Sequence, residues 1–116
     1  MAAKRFRLLL VDDEPDVLEL LSETFADSYD VVTASSGWRA LEILRADRID
    51  LLITDQRMPS MTGVQLIERA KAELPQLLCI ILTAYTDPVD LIAAINRGHV
   101  YRYITKPWDV ADLVQT

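Results

Sequence analysis

Apolar residues along the chain fall into two kinds of pattern. Short, dense runs cover Phe6 to Val11, Leu51 to Ile53 and Leu77 to Leu82, and between them lie stretches whose apolar positions recur every three or four residues. The dense runs suit strands covered on both faces, and the three-to-four spacing marks amphipathic helices. Taken in order, a strand over Phe6–Val11 opens onto Asp12-Asp13-Glu14, and Pro15 stands where a helix makes its first turn. Val17, Leu18, Leu21 and Phe25 trace the inner face of that helix, opposite Glu19, Glu23 and Asp27. Tyr29–Thr33 reads as a short strand, and Ser35-Ser36-Gly37 starts a second helix through Ala40, Leu41 and Leu44. After Asp50, the central strand runs Leu51-Leu52-Ile53-Thr54-Asp55.

Thr62-Gly63-Val64-Gln65 has capping-box spacing, and Val64, Ile67, Ala70, Lys71 and Leu74 are the expected inner face of a third helix stopped by Pro75. The run Leu77–Leu82 predicts a fourth strand. Asp87-Pro88 starts a fourth helix with Leu91, Ile92 and Ile95, and Asn96-Arg97-Gly98 ends it. Val100–Thr105 alternates as a half-exposed strand, Lys106-Pro107 closes it, and Trp108–Thr116 begins a last helix. Strands and helices in strict alternation predict right-handed βαβ units, hence an α/β fold: a doubly wound (βα)5 three-layer sandwich around a parallel five-stranded sheet. Asp30 and Arg102 place the second and fifth strands at the edges, giving the order 2-1-3-4-5. In this flavodoxin-like order ligands bind beyond the carboxyl ends of the strands, where the first and third diverge.

Composition narrows the function. With 116 residues and 51% hydrophobic content, the chain is expected to form one domain over residues 1–116, its last helix cut short. No apolar run is long enough to span a bilayer, and the opening residues lack a signal-peptide pattern, so a cytoplasmic location away from membranes is expected. The single cysteine, Cys79, lies inside an apolar run and reads as a buried, inert thiol. A formal net charge of −6 with scattered basic residues argues against direct nucleic-acid binding. His99 follows a helix end and reads as a solvated or capping residue.

The strand ends then supply the chemistry. Asp12 and Asp13 follow the first strand, Asp55 ends the third, Thr83 the fourth, and Lys106 follows the fifth. Three carboxylates at one sheet edge repel unless protonated or bridged by a cation, and oxygen-only donors select Mg²⁺ or Mn²⁺. A carboxylate beside such a cation is equipped to attack phosphorus and form an aspartyl phosphate. The metal and Lys106 would neutralise the phosphoryl oxygens, and Thr83 would donate a hydrogen bond to one of them.

Val11-Asp12-Asp13-Glu14, the segment Asp55-Gln56-Arg57-Met58-Pro59-Ser60-Met61-Thr62-Gly63, Leu82-Thr83-Ala84 and Tyr103-Ile104-Thr105-Lys106-Pro107 together resemble the receiver domain of bacterial two-component response regulators. The resemblance covers essentially the whole chain. It implies that Asp55 is the phosphoacceptor, fed by a sensor histidine kinase or phosphotransfer protein. Asp13, Asp55 and the backbone carbonyl of Arg57 would bind Mg²⁺ directly, and Asp12 more through water. Thr83 and Tyr103 would be the switch pair, and the Lys106-Pro107 bond would be cis. Activity of its own would be limited to self-phosphorylation and slow self-dephosphorylation, with Arg57 and Tyr85 expected to overhang the phosphoryl site. The added charge at Asp55 would draw Thr83 inward and make room for Tyr103, so the fourth-helix, fifth-strand and fifth-helix face would report to a C-terminal output domain or form a homodimer. The segment from Ala94 to Asp109 looks like receivers of hydrogenase-type transcription regulators, HD-type phosphohydrolases or cyclases. A stand-alone receiver acting as a relay is one alternative, and the main rival from another class is a phosphatase. A Mg²⁺-dependent aspartate-nucleophile phosphatase would need an Asp at position 57, where Arg stands, and a flavin module would be repelled by Asp12-Asp13-Glu14.

Overall fold

The computed structural model describes residues 6–83 and 102–105, with Thr83 and residues 102–105 described by their backbone. Within them lie β1 (Arg7–Val11), α1 (Pro15–Phe25), β2 (Asp30–Ala34), α2 (Gly37–Ala46), β3 (Leu51–Asp55), α3 (Gly63–Glu73), β4 (Leu78–Thr83) and β5 (Arg102–Thr105). The expected fourth and last helices, Tyr85, His99, Lys106, the Lys106-Pro107 bond and Trp108 lie outside the described residues.

All neighbouring strands pair in parallel, in the order β2-β1-β3-β4-β5. The order expected from Asp30 and Arg102 is therefore the one observed, with β2 and β5 at the edges. Parallel pairing requires cover on both faces, and β1 shows it, since Leu8, Leu9 and Leu10 are all fully buried. Successive residues point to opposite faces and divide the core in two. Leu9, Val11, Leu52, Cys79 and Ile81 pack with Leu41, Leu44, Leu66 and Ile67 of α2 and α3. Leu8, Leu10, Ile53, Ile80 and Leu82 pack with Leu21 and Phe25 of α1.

The helix starts follow local chemistry. Pro15 opens α1, and the Ser36 hydroxyl accepts from Arg39 N–H at 3.1 Å to cap α2. Thr62 and Gln65 form the reciprocal box expected of α3: Thr62 Oγ1 accepts from Gln65 N–H at 3.2 Å, and Gln65 Oε1 accepts from Thr62 N–H at 2.9 Å. Trp38, in the first turn of α2, is half-exposed, with the Arg69 guanidinium 5.1 Å from its ring centre.

Two expectations about the α3–β4 region are corrected. The buried face of α3 is Gly63, Val64, Leu66, Ile67 and Ala70, so Leu66 replaces Lys71 and Leu74 in the core. Leu74 is the residue after the last helical turn, its backbone has left helical geometry, and its side chain is exposed. Lys71 instead folds back, and its ammonium donates to the carbonyls of Pro75 at 2.7 Å and Leu77 at 2.9 Å. Similarly, β4 begins at Leu78 rather than Leu77, and Leu78 is exposed at the amino edge of the sheet.

Cys79 is fully buried, as expected. Burial pushes its thiol from 9.0 up to about 12, against a smaller opposing pull from the Lys71 ammonium. Because the folded state holds this proton more tightly, the contribution to stability is full below pH 9 and is lost as pH climbs towards 12. Native protein at pH 8 is expected to resist iodoacetamide that modifies the unfolded chain readily. Native labelling at the unfolded rate would contradict this packing.

Candidate functional site

The carboxyl ends of β1 and β3 bring the acids together. Val11 is in register with Thr54, so Asp12 and Asp55 each stand one residue beyond that pair, and Asp13 follows. One carboxylate oxygen from each of Asp12, Asp13 and Asp55 can be chosen so that all three lie within 4.8 Å of one another. Asp12 and Asp55 are buried, at 1% and 6% exposure, and Asp13 faces solvent. Asp12 continues the sheet by donating its N–H to Ala34 O at 3.2 Å, and its Oδ1 accepts from Glu14 N–H at 2.9 Å. That turn carries the chain into α1 and fixes the Asp12 side chain.

Two like charges at this separation repel by on the order of 3–4 kcal/mol at an effective dielectric of about 20. A divalent cation turns that repulsion into attraction, and a donor set made only of carboxylate oxygens fits a hard ion such as Mg²⁺ or Mn²⁺. The residues present therefore fit the expected metal.

Asp55 is held from behind. Thr54 Oγ1 donates to Asp55 O at 3.0 Å. Gln56 N–H donates to Leu82 O at 3.0 Å, which carries the β3–β4 pairing one step past Asp55. Since Asp55 is in register with Leu82, the backbone of Thr83 begins one residue beyond the acid. Thr83 pairs with Thr105 across to β5, where Tyr103 is the partner of Ile81.

The loop from Gln56 to Thr62 closes on the start of α3. Gln56 O accepts from Gly63 N–H at 3.0 Å, and the Gln56 carboxamide Oε1 accepts from Val64 N–H at 2.9 Å. Inside the loop, Ser60 has φ 69° and Met61 N–H donates to Pro59 O at 2.8 Å, the pattern of a γ-turn centred on Ser60. The turn drives Met61 into the core, against Gly37 at the start of α2. Arg57 sends its side chain outward from this loop, between buried Gln56 and buried Met58.

Of the residues expected at the site, Asp12, Asp13 and Asp55 are thus brought together, Arg57 is on the adjoining loop, and Thr83 and Tyr103 are on the neighbouring strands. Lys106 lies outside the described residues. Gln56 and Gly63 belong to the motif that carries the family resemblance, but sequence reasoning missed how they fix the loop. The Gln56 side chain stands between the acid and a turn, where an amide is easily taken for a solvated group, and the close approach of Gly63 to the Asp55 backbone has no local signature.

A family profile described as "Response regulator receiver domain" matches residues 8–116. The hydrogenase transcriptional regulatory protein HoxA of Cupriavidus necator is 34% identical over 116 residues, covering 100% of this chain and 24% of that protein. The transcriptional regulatory protein GlrR of Escherichia coli K12 is 41% identical over 116 residues, covering 99% of this chain and 26% of that protein. Among solved structures, the signal receiver domain of an HD domain-containing protein from Pseudomonas fluorescens Pf-5 superposes with a TM-score of 0.91 at 33% identity, over 97% of this chain and 90% of that one. The chain belongs to the response regulator receiver domain family, whose members are phosphorylation-activated signalling modules of bacterial two-component systems. It spans about a quarter of the length of HoxA and of GlrR. No helix among the described residues is long and apolar enough to cross a membrane.

Proposed function

We propose that this chain is a Mg²⁺-dependent receiver switch in which Asp55 is the phosphoacceptor. The observation that carries the reading is the placement of Asp55 at the end of β3, within 4.8 Å of two further carboxylates at the end of β1. A carboxylate oxygen of Asp55 attacks the phosphorus of a phosphohistidine on a sensor kinase or phosphotransfer protein. The phosphorus–nitrogen bond breaks and the imidazole leaves. Asp13, Asp55 and the Arg57 carbonyl would hold the metal directly and Asp12 more through water, and the bound metal would neutralise charge on the phosphoryl oxygens. Thr83 and Lys106 act on the same oxygens from the ends of the fourth and fifth strands, and Tyr103 follows Thr83 when the phosphoryl group draws it in.

Residues 1–116 act as one receiver domain, in the cytoplasm, without direct contact to nucleic acid. The relatives' greater length supports an output domain joined after residue 116, driven through the fourth-helix, fifth-strand and fifth-helix face or by a homodimer on that face. Catalysis by the chain itself is restricted to taking and slowly losing its own phosphoryl group. Incubation with acetyl phosphate and Mg²⁺, read by intact mass, is expected to add a single phosphoryl group, and chelation of the metal is expected to prevent it. Uptake that is indifferent to the metal would overturn the reading.

A further inference from the structure

We infer that the Gln56 carboxamide is a positioning residue for the metal site, locking the loop that carries the Arg57 carbonyl by accepting the Val64 N–H. The inference rests on the reading of Asp55 and its neighbours as a Mg²⁺ site. Gln56 is only 5% exposed, and its N–H, carbonyl and side-chain Oε1 are all bonded within the protein. Its N–H reaches Leu82 O on β4, its carbonyl takes Gly63 N–H, and its Oε1 takes Val64 N–H. A helix start leaves its first N–H groups without helical partners. In α3 the first two are satisfied by Gln56, backbone and side chain, and the third, Gln65 N–H, by Thr62.

The consequence is a closed ring. Residues 57–62 are pinned at one end by β4 and at the other by two bonds to the same residue, Gln56. Arg57 is the first residue of that ring, so its carbonyl direction depends on the ring staying closed. The backbone bond from Gly63 alone leaves a single pivot, and the carboxamide bond from Val64 makes it a two-point clamp. Groups that orient a metal ligand without touching the ion typically change affinity by about 10- to 100-fold when lost.

Three variants separate positioning from general loosening. Gln56→Met keeps the length and buried volume but removes the acceptor. Gln56→Glu restores an acceptor for Val64 N–H. Thr62→Ala removes the cap from the third N–H of the same helix and leaves both Gln56 bonds in place. Mg²⁺ affinity is measured by calorimetry, and Val64 amide hydrogen exchange is measured on the metal-free proteins.

The expected result is faster Val64 exchange and about tenfold weaker Mg²⁺ binding in Gln56→Met, with wild-type-like or tighter binding in Gln56→Glu and unchanged binding in Thr62→Ala. Equal Mg²⁺ affinity in wild type and Gln56→Met would overturn the inference, as would an equal loss in Thr62→Ala. Should Gln56→Met fail to fold, Gln56→Asn, one methylene too short to reach Val64 N–H, gives the same comparison. A wild-type protein that binds no Mg²⁺ would instead overturn the site reading itself, and the inference with it.

Discussion

An Asp55→Asn protein is expected to take up no phosphoryl group from acetyl phosphate and Mg²⁺ while remaining folded. The amide is nearly isosteric with the carboxylate, so the packing at the end of β3 has no reason to change. It carries no anionic nucleophile, and it removes one of three charges whose oxygens lie within 4.8 Å of one another. Relief of that repulsion predicts a metal-free variant that melts at or above wild type, combined with weaker Mg²⁺ binding. The comparison also identifies the acceptor. Asp12 and Asp13 are carboxylates at the same edge, but Asp12 is tied to the turn into α1 through Glu14 N–H. Uptake by the Asp55→Asn protein at the wild-type level would move the chemistry to one of those residues and sink the assignment.

Gly63→Ala is expected to damage both stability and phosphoryl uptake. A Cβ at Gly63 would collide with Asp55 O and lie 3.1 Å from both Asp55 C and Gln56 Cα. All three are backbone atoms, which cannot turn aside as a side-chain end can. At Gly37, by comparison, the nearest obstacle is the Met61 sulfur, near the free end of a flexible chain. Alanine is a better helix former than glycine by about 1 kcal/mol, so propensity alone would make the change stabilising. The clash reverses that sign. Overpacking costs typically about 1–3 kcal/mol, and backbone neighbours put this site at the upper end. Chemical denaturation measures the loss, and acetyl phosphate uptake measures the displaced acid. A Gly63→Ala protein as stable and as reactive as wild type would show that α3 does not sit on Asp55.

Much of this arrangement was legible in the chain. Leu8 to Val11 and Ile80 to Leu82 are apolar without a break because both sheet faces are covered, and Asp30 marks β2 as an edge for the converse reason. Once the strand order is known, the convergence of Asp12, Asp13 and Asp55 follows from a general property of parallel sheets, since every such strand delivers its carboxyl end to the same edge. The capping box of Thr62 and Gln65 is local chemistry and was readable for that reason.

What escaped depends on contacts distant in sequence or on where a helix stops. Periodicity cannot register that the chain leaves the helix at Leu74, which turns an apolar side chain outward and leaves Leu66 in the core. The positive φ of Ser60 carries no signature in a residue that usually avoids it. The partners of Gln56, Val64 eight positions away and Leu82 further still, exist only once β3, β4 and α3 have met.

The approach of α3 to the Asp55 carbonyl also has a mechanical meaning. With no room for a methyl group between Gly63 and the backbone of Asp55, this side of the site behaves as an anvil. A shift of the Asp55 backbone towards the 11-residue helix α3 would close the gap that only a glycine at position 63 leaves open.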